Sequence, residues 1–191
     1  LLYSELPKFF KNYLNLSLTN DTQAEYSFNN GSTMSIGSSY RSGTLQRLHI
    51  SEYGKIASRY PAKAIEIITG SLQAVAPGNQ LIIESTAEGD NDFKNRWDTA
   101  CKKREVYGGK HFYPIFLSWL DDPDCVESVD APINTEAQAH FDLLAKNGFV
   151  LTKEQKNFWI NQYEETGKYI HREYPATPEE AFMMAREGTY Y

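Results

Sequence analysis

The sequence lacks a GxxxxGK[ST] segment. Its Gly-Lys pairs at 54, 109 and 167 have neither the upstream glycine nor the following serine or threonine, so this chain carries no loop of the kind that cradles nucleotide phosphates. It also lacks HExxH, and His49, His111, His140 and His171 fall at no ligand spacing, so no zinc site is expected. The two cysteines, Cys101 and Cys125, form no CxxC pair, which excludes a disulfide framework and a cysteine zinc site and fits a reducing cytosol. No serine sits in a GxSxG elbow. No run reaches the roughly 18 apolar residues of a membrane span. The opening LLYSELPKFFKNYLNLSL is broken by Glu5, Pro7 and Lys8, unlike a signal peptide. There are no internal repeats or low-complexity linkers. A net charge of −6 excludes a surface that wraps nucleic acid on all sides and leaves room only for local basic strips.

What is present describes an ordinary globular chain. With 191 residues, 41% hydrophobic and 23% charged, it is long enough for one domain with a core. The 13 Tyr, 10 Phe and 3 Trp are read as bulky core packing rather than base stacking.

Apolar residues at helical spacing over 1 to 16 predict a helix that Pro7 starts or kinks. AEYSFNNGSTMSIGS alternates on both sides of Asn30-Gly31 and predicts a hairpin. LQRLHIS predicts a strand leading into YGKIASRYPAKAIEIITGSLQAV, a helical stretch with a break at Pro61. QLIIEST predicts a strand buried on both faces, and HFYPIFLSW another strand. DNDFKNRWDTACKKRE runs from acidic to basic, as suits a helix dipole. Helices are also expected over 135 to 147 and 152 to 166. In EYPATPEEAF, Thr177 and Glu180 have the spacing of a capping box with Pro178 at the first helical position. The alternation implies an α/β fold with a mostly parallel sheet flanked by helices and an added β-hairpin.

In open parallel sheets, ligands bind beyond the carboxyl ends of the strands. Ser51-Glu52 follows one apolar strand and Glu84-Ser85-Thr86 another, and on neighbouring strands they would meet at one edge. A carboxylate there suits the deprotonation of an attacking water, with a nearby hydroxyl supporting Mg²⁺; the alternative for Glu52 is plain negative charge at a helix N-terminus. Ser85 and Thr86 also read as an ordinary strand end or cap. Arg41, in the small polar stretch SSYRSGT, is either a guanidinium held out toward phosphate or a surface arginine. Lys94, Arg96, Lys102, Lys103 and Arg104 form a basic helix that faces DNA phosphates, a neighbouring subunit, or only solvent.

Taken in order, LHISE, LIIESTAEG, FYPIFLSW and REYPATPEEAF resemble the large terminase subunit of tailed bacteriophages and prophages, the motor that packages DNA into capsids. The resemblance spans nearly the whole chain. It implies an additional-strand, RecA-like P-loop NTPase fold whose first strand and phosphate loop are missing here. Residues 1–172 would be a partial ATPase domain, and 173–191 a linker or hinge toward an absent nuclease domain.

By this resemblance Glu52 is the general base of the Walker B position and Ser85-Thr86-Ala87 the coupling motif. Arg41 is an arginine finger reaching a neighbouring subunit, and Ser51, in place of the usual aspartate, is a weak support for Mg²⁺ through water. The implied activity is ATP hydrolysis coupled to translocation of viral DNA into the procapsid. The cofactors of the complete protein would be ATP and Mg²⁺, neither held tightly by this chain, which alone is expected to be inactive. The implied partners are double-stranded viral DNA, the portal protein, the small terminase subunit and further copies in a homo-oligomeric ring. The implied setting is the cytoplasm of the bacterial host, transiently at the procapsid portal. The alternative is a catalytically inactive assembly or DNA-binding module derived from a terminase.

Overall fold

The computed structural model describes residues 7–38, 43–105 and 111–187. Pro7 stands at the start of helix α1 (Lys8–Tyr13), where its fixed φ and missing N–H cost nothing. Three antiparallel strands follow in the order β1-β2-β3: β1 (Leu18–Asp21), β2 (Glu25–Phe28) and β3 (Thr33–Ser35). The expected hairpin joins β2 to β3. Gly31, rather than Asn30, takes the positive φ of 82°, while Asn30 Oδ1 accepts from the Ser32 amide. No residue of α1 or these strands is buried.

A separate parallel pair carries the main apolar contacts of the N-terminal half. β4 (Leu45–Ile50) pairs with β5 (Val75–Ile83), with Ile50 opposite Ile83. They are connected by α2 (Tyr53–Arg59) and α3 (Pro61–Ser71), followed by a 3₁₀ turn. Pro61 separates the two helices as expected: it drives Tyr60 out of the helical region to φ −135°, ψ 65° and occupies the first position of α3. Leu48, Ile50, Tyr53, Ala57, Ala64, Ile67 and Ile68 make one core here.

The C-terminal half is helical. It contains α4 (Asp92–Lys102), α5 (Thr135–Lys146), α6 (Lys153–Thr166), α7 (Ile170–Glu173) and α8 (Pro178–Glu187). A second core gathers Trp119, Phe141, Leu144, Trp159, Ile160 and Ile170. A smaller cluster of Ala87, Ala181 and Phe182, with Phe93, Trp97 and Phe116 against it, ties α8 to the strand-edge region. Within residues 173–191, read from sequence as a linker or hinge, Ala176, Ala181 and Phe182 are buried.

The fold is α/β, with a two-stranded parallel and a three-stranded antiparallel sheet. The mostly parallel sheet is corrected: among the described residues only β4 and β5 pair in parallel. β5 is not buried on both faces, because β4 is its single neighbour among the described residues and Ile82 is 44% exposed. HFYPIFLSW, expected as a strand, joins no ladder among the described residues, and its Trp119 opens a 3₁₀ turn. Its Phe116 packs on Trp97, whereas Ile115 and Leu117 stand 70% and 84% exposed, so alternation is retained without a strand partner. Half of the capping box forms at α8. Thr177 Oγ1 accepts from the Glu180 amide, but the Glu180 carboxylate accepts from Ala176 N–H instead of Thr177 N–H.

Candidate active site at a strand edge

The two polar strand ends meet. Past the last paired residues the ladder continues: the Glu84 amide donates to the Ile50 carbonyl (3.0 Å), and the Tyr53 amide donates to the Glu84 carbonyl (3.1 Å). The chain is therefore pinned on both sides of Ser51-Glu52, which loop out at the edge. Glu52 takes up the tight reversal in the left-handed region (φ 56°, ψ 33°). For a residue with a side chain this conformation costs about 1–2 kcal/mol. Glu52 is exposed, and although it precedes the first residue of α2 its side chain makes no capping hydrogen bond. In this structure the carboxylate is thus directed to solvent at the edge rather than used as a cap.

Ser85, Thr86 and Ala87 leave β5 directly beneath α2. Ser85 Oγ is buried with no hydrogen-bond partner among the described residues, and Ala87 is buried. The close approach depends on Gly54: a Cβ there would lie 2.9 Å from Ser85 Oγ and from the Thr86 carbonyl oxygen, and 3.3 Å from the Phe93 ring. The first turn of α2, which Glu52 enters, rests on the two residues that sequence marked on the second strand.

Asn91 locks this contact to the next helix. Its Nδ2 donates to the carbonyls of Gly54 (2.9 Å) and Glu88 (3.0 Å), while its Oδ1 accepts from the amides of Phe93 and Lys94 as the N-cap of α4. Asn91→Ala removes a cap and both tethers, with an expected loss of about 1–2 kcal/mol in urea unfolding; an unchanged midpoint would show that the tethers contribute nothing. Beside it the Tyr53 hydroxyl donates to Asp92 (2.6 Å), and Arg96 pairs with the same carboxylate. Burial, then the hydrogen bond and charge of Asp92, push the Tyr53 hydroxyl well above its ordinary pKa against the opposing influence of Arg96. Tyr53 is thereby held as a neutral donor.

The other sequence-derived candidates are placed as follows. Ser51 is exposed next to Glu52. Arg41 lies outside the described residues. Lys94 pairs with Asp98 and sits over the Phe182 ring, and Arg96 lies over Tyr53. Both charges face partners within the fold. Lys102, Lys103 and Arg104 are exposed at the end of α4, with Arg104 donating to the Tyr113 hydroxyl (3.1 Å). A hollow of about 480 Å³ at the start of α5, lined by Ile133, Asn134, Thr135, Gln138, Ala139 and Asp142, includes none of the candidate residues. Burial, with Asp122 and Asp124 nearby, pushes the Cys125 thiol up, away from the thiolate a nucleophile needs.

A second constellation escapes sequence reasoning. His140, His171 and Glu180 converge from α5, α7 and α8. Glu180 Oε1 lies 2.5 Å from His171 Nδ1 and 3.8 Å from His140 Nδ1. His140 is stacked on Trp159 with 4.5 Å between ring centres. Burial pushes its pKa down to about 4, against the Glu180 charge that favours protonation. The spacing of His171 and Glu180 matches no ligand motif, and the only available signal was the pairing of a histidine with the capping-box glutamate.

Comparisons with protein-family models, with curated proteins and with solved structures find no match.

Proposed function

We propose that this chain is part of the ATPase motor of a phage terminase large subunit, coupling ATP hydrolysis to movement of viral DNA into the procapsid, with an additional-strand P-loop NTPase fold. The observation that carries this reading is the strand edge. Glu52 is held in a strained left-handed turn at the end of β4, and Ser85-Thr86 at the end of β5 packs against the turn of α2 that follows it. Backbone strain of this kind persists where surrounding structure enforces it, and it clusters at functional sites.

The residues present fit one side of a nucleotide site and not the other. Glu52 supplies an exposed carboxylate, Ser51 a neighbouring hydroxyl, and Ser85 a buried hydroxyl without a partner among the described residues. The cradle for the β- and γ-phosphates, which a GxxxxGK[ST] loop provides, has no counterpart in the sequence. Mg²⁺, when bound, would neutralise phosphate charge. Within this chain, Glu52 would orient a water and accept its proton on a carboxylate oxygen as the water attacks the γ-phosphorus and the bond to the β–γ bridging oxygen breaks to release ADP. Ser85 and Thr86 would sense loss of the γ-phosphate and pass the change to α2 through Gly54. The partners in this reading are double-stranded DNA, the portal, the small terminase subunit and neighbouring copies in a ring. Arg41 of one copy would reach its neighbour's site, and Lys102, Lys103 and Arg104 are the exposed basic groups open to DNA or a neighbour.

The test is ATP hydrolysis by the protein joined to a phosphate-loop segment, with DNA and portal present, comparing wild type and Glu52→Ala. Loss of turnover with nucleotide binding retained supports the reading. Equal turnover moves the assignment to an inactive assembly or DNA-binding module.

A further inference from the structure

We propose that His140, His171 and Glu180 form a site for a single divalent transition-metal ion of the zinc class, which clamps α8 onto α5 and α7. The proposal stands apart from the ATPase reading: it uses none of the strand-edge residues.

The donor set is two imidazole nitrogens and one carboxylate oxygen, a combination that suits zinc and its neighbours rather than the oxygen-seeking Mg²⁺ or Ca²⁺. The ligand atoms all lie within 4.8 Å of one another. In a tetrahedral zinc site with bonds near 2.0–2.1 Å, ligand atoms stand about 3.3–3.4 Å apart. The Oε1 distances of 2.5 Å to His171 and 3.8 Å to His140 bracket that value, so the two Glu180 contacts each need to change by less than about 1 Å.

Two further observations point to a ligand. His140 is 8% exposed, and its side chain makes no hydrogen bond among the described residues; Nδ1 faces Glu180 beyond hydrogen-bond range, and Nε2 is buried without a partner. Nδ1 therefore makes no hydrogen bond and faces the other two donors. Two of the donors are also held by groups outside the set, Glu180 by a backbone hydrogen bond and His140 by ring stacking. Ala176 N–H donates to Glu180 Oε2 (2.8 Å), leaving Oε1 toward the histidines, and the Trp159 indole fixes the plane of His140. His171 and Glu180 side chains retain 21% and 15% exposure against 6% for His140, so the cluster is open to solvent on their side.

The experiment uses the full chain freed of metal with a chelator. Zn²⁺ titrated calorimetrically is expected to bind once per chain, and at about 100 times its dissociation constant to raise the melting temperature by several degrees, with Mg²⁺ giving no shift. Co²⁺ in its place should give the visible bands of a tetrahedral site with nitrogen and oxygen ligands and no sulfur charge-transfer band. Glu180→Gln and His171→Gln, both at partly exposed positions, should each weaken Zn²⁺ binding at least tenfold. No Zn²⁺-dependent shift and no Co²⁺ bands in the wild-type chain would overturn the proposal, and that result needs no variant to fold. Sulfur charge transfer, or Zn²⁺ affinity unchanged in both variants, would overturn it equally by placing the ion elsewhere.

Discussion

Glu52→Gln is expected to lower ATP turnover of the motor by about 10²-fold or more with nucleotide binding retained, because it keeps the side chain's size and removes the group that takes the proton. A second substitution separates chemistry from structure at the same residue. Glu52 sits at φ 56° without a capping hydrogen bond, so its side chain contributes strain and no local tether. Glycine relieves about 1–2 kcal/mol of left-handed strain and loses about 0.5–1 kcal/mol through the extra freedom of the unfolded chain. Glu52→Gly should therefore be as inactive as Glu52→Gln yet more stable than wild type by up to about 1.5 kcal/mol. Enzyme sites commonly show this opposition between stability and activity, whereas a structural glutamate would not. Urea unfolding of the three proteins decides the matter. A Glu52→Gly chain that is less stable than wild type would mean that the carboxylate holds the fold together, and retained turnover in Glu52→Gln would remove it from the chemistry.

How much of this was legible in the sequence depends on whether the signal was local. The helix break at Tyr60-Pro61 follows from proline chemistry, and the hairpin at Asn30-Gly31 from turn chemistry, so both were readable. The meeting of the two polar strand ends was readable as well, because two apolar strands ending in polar residues imply one edge once they pair in parallel. Pairing itself is a property of neighbours. Tyr113, Ile115 and Leu117 alternate with Phe112 and Phe116 as a strand would, but alternation specifies only which face is apolar, and the segment lies outside any ladder among the described residues. β1 was hidden for the opposite reason: Leu-Thr-Asn-Asp has little strand character and is recruited by β2. Glu180 shows both limits at once. Its position as a capping residue is written in Thr-Pro-Glu-Glu, but the carboxylate is turned to Ala176 and two histidines that only tertiary packing brings near.

Gly54→Val is expected to destabilise the chain by about 3 kcal/mol or more and to abolish turnover with it. Two effects compete at this position. Glycine inside a helix is worse than alanine by about 1 kcal/mol, so any side chain gains something in propensity. Against that, a Cβ would stand 2.9 Å from both Ser85 Oγ and the Thr86 carbonyl oxygen. A serine hydroxyl can rotate away, but the Thr86 oxygen belongs to the backbone that follows β5, and Phe93 at 3.3 Å closes the remaining side. Overpacking of this kind costs about 1–3 kcal/mol, occasionally more, so alanine loses more than its propensity gain and ends as a modest net loss. Valine adds two methyl groups and a stiff χ1 while recovering little propensity, so sterics win clearly. Set against a total stability of about 5–15 kcal/mol, that loss is large enough to lower the melting temperature by many degrees. The clash also falls between the two halves of the strand edge, so relief requires α2 to lift from Ser85-Thr86 and take Glu52 with it. Amide exchange reads this directly: the Tyr53 and Glu84 amides, which bond across the edge, should lose protection in Gly54→Ala before the amides within β4 and β5 do. A valine variant as stable as wild type would show that the close approach of α2 to Thr86 is not a constraint, and the proposed mechanical link through Gly54 would fall with it.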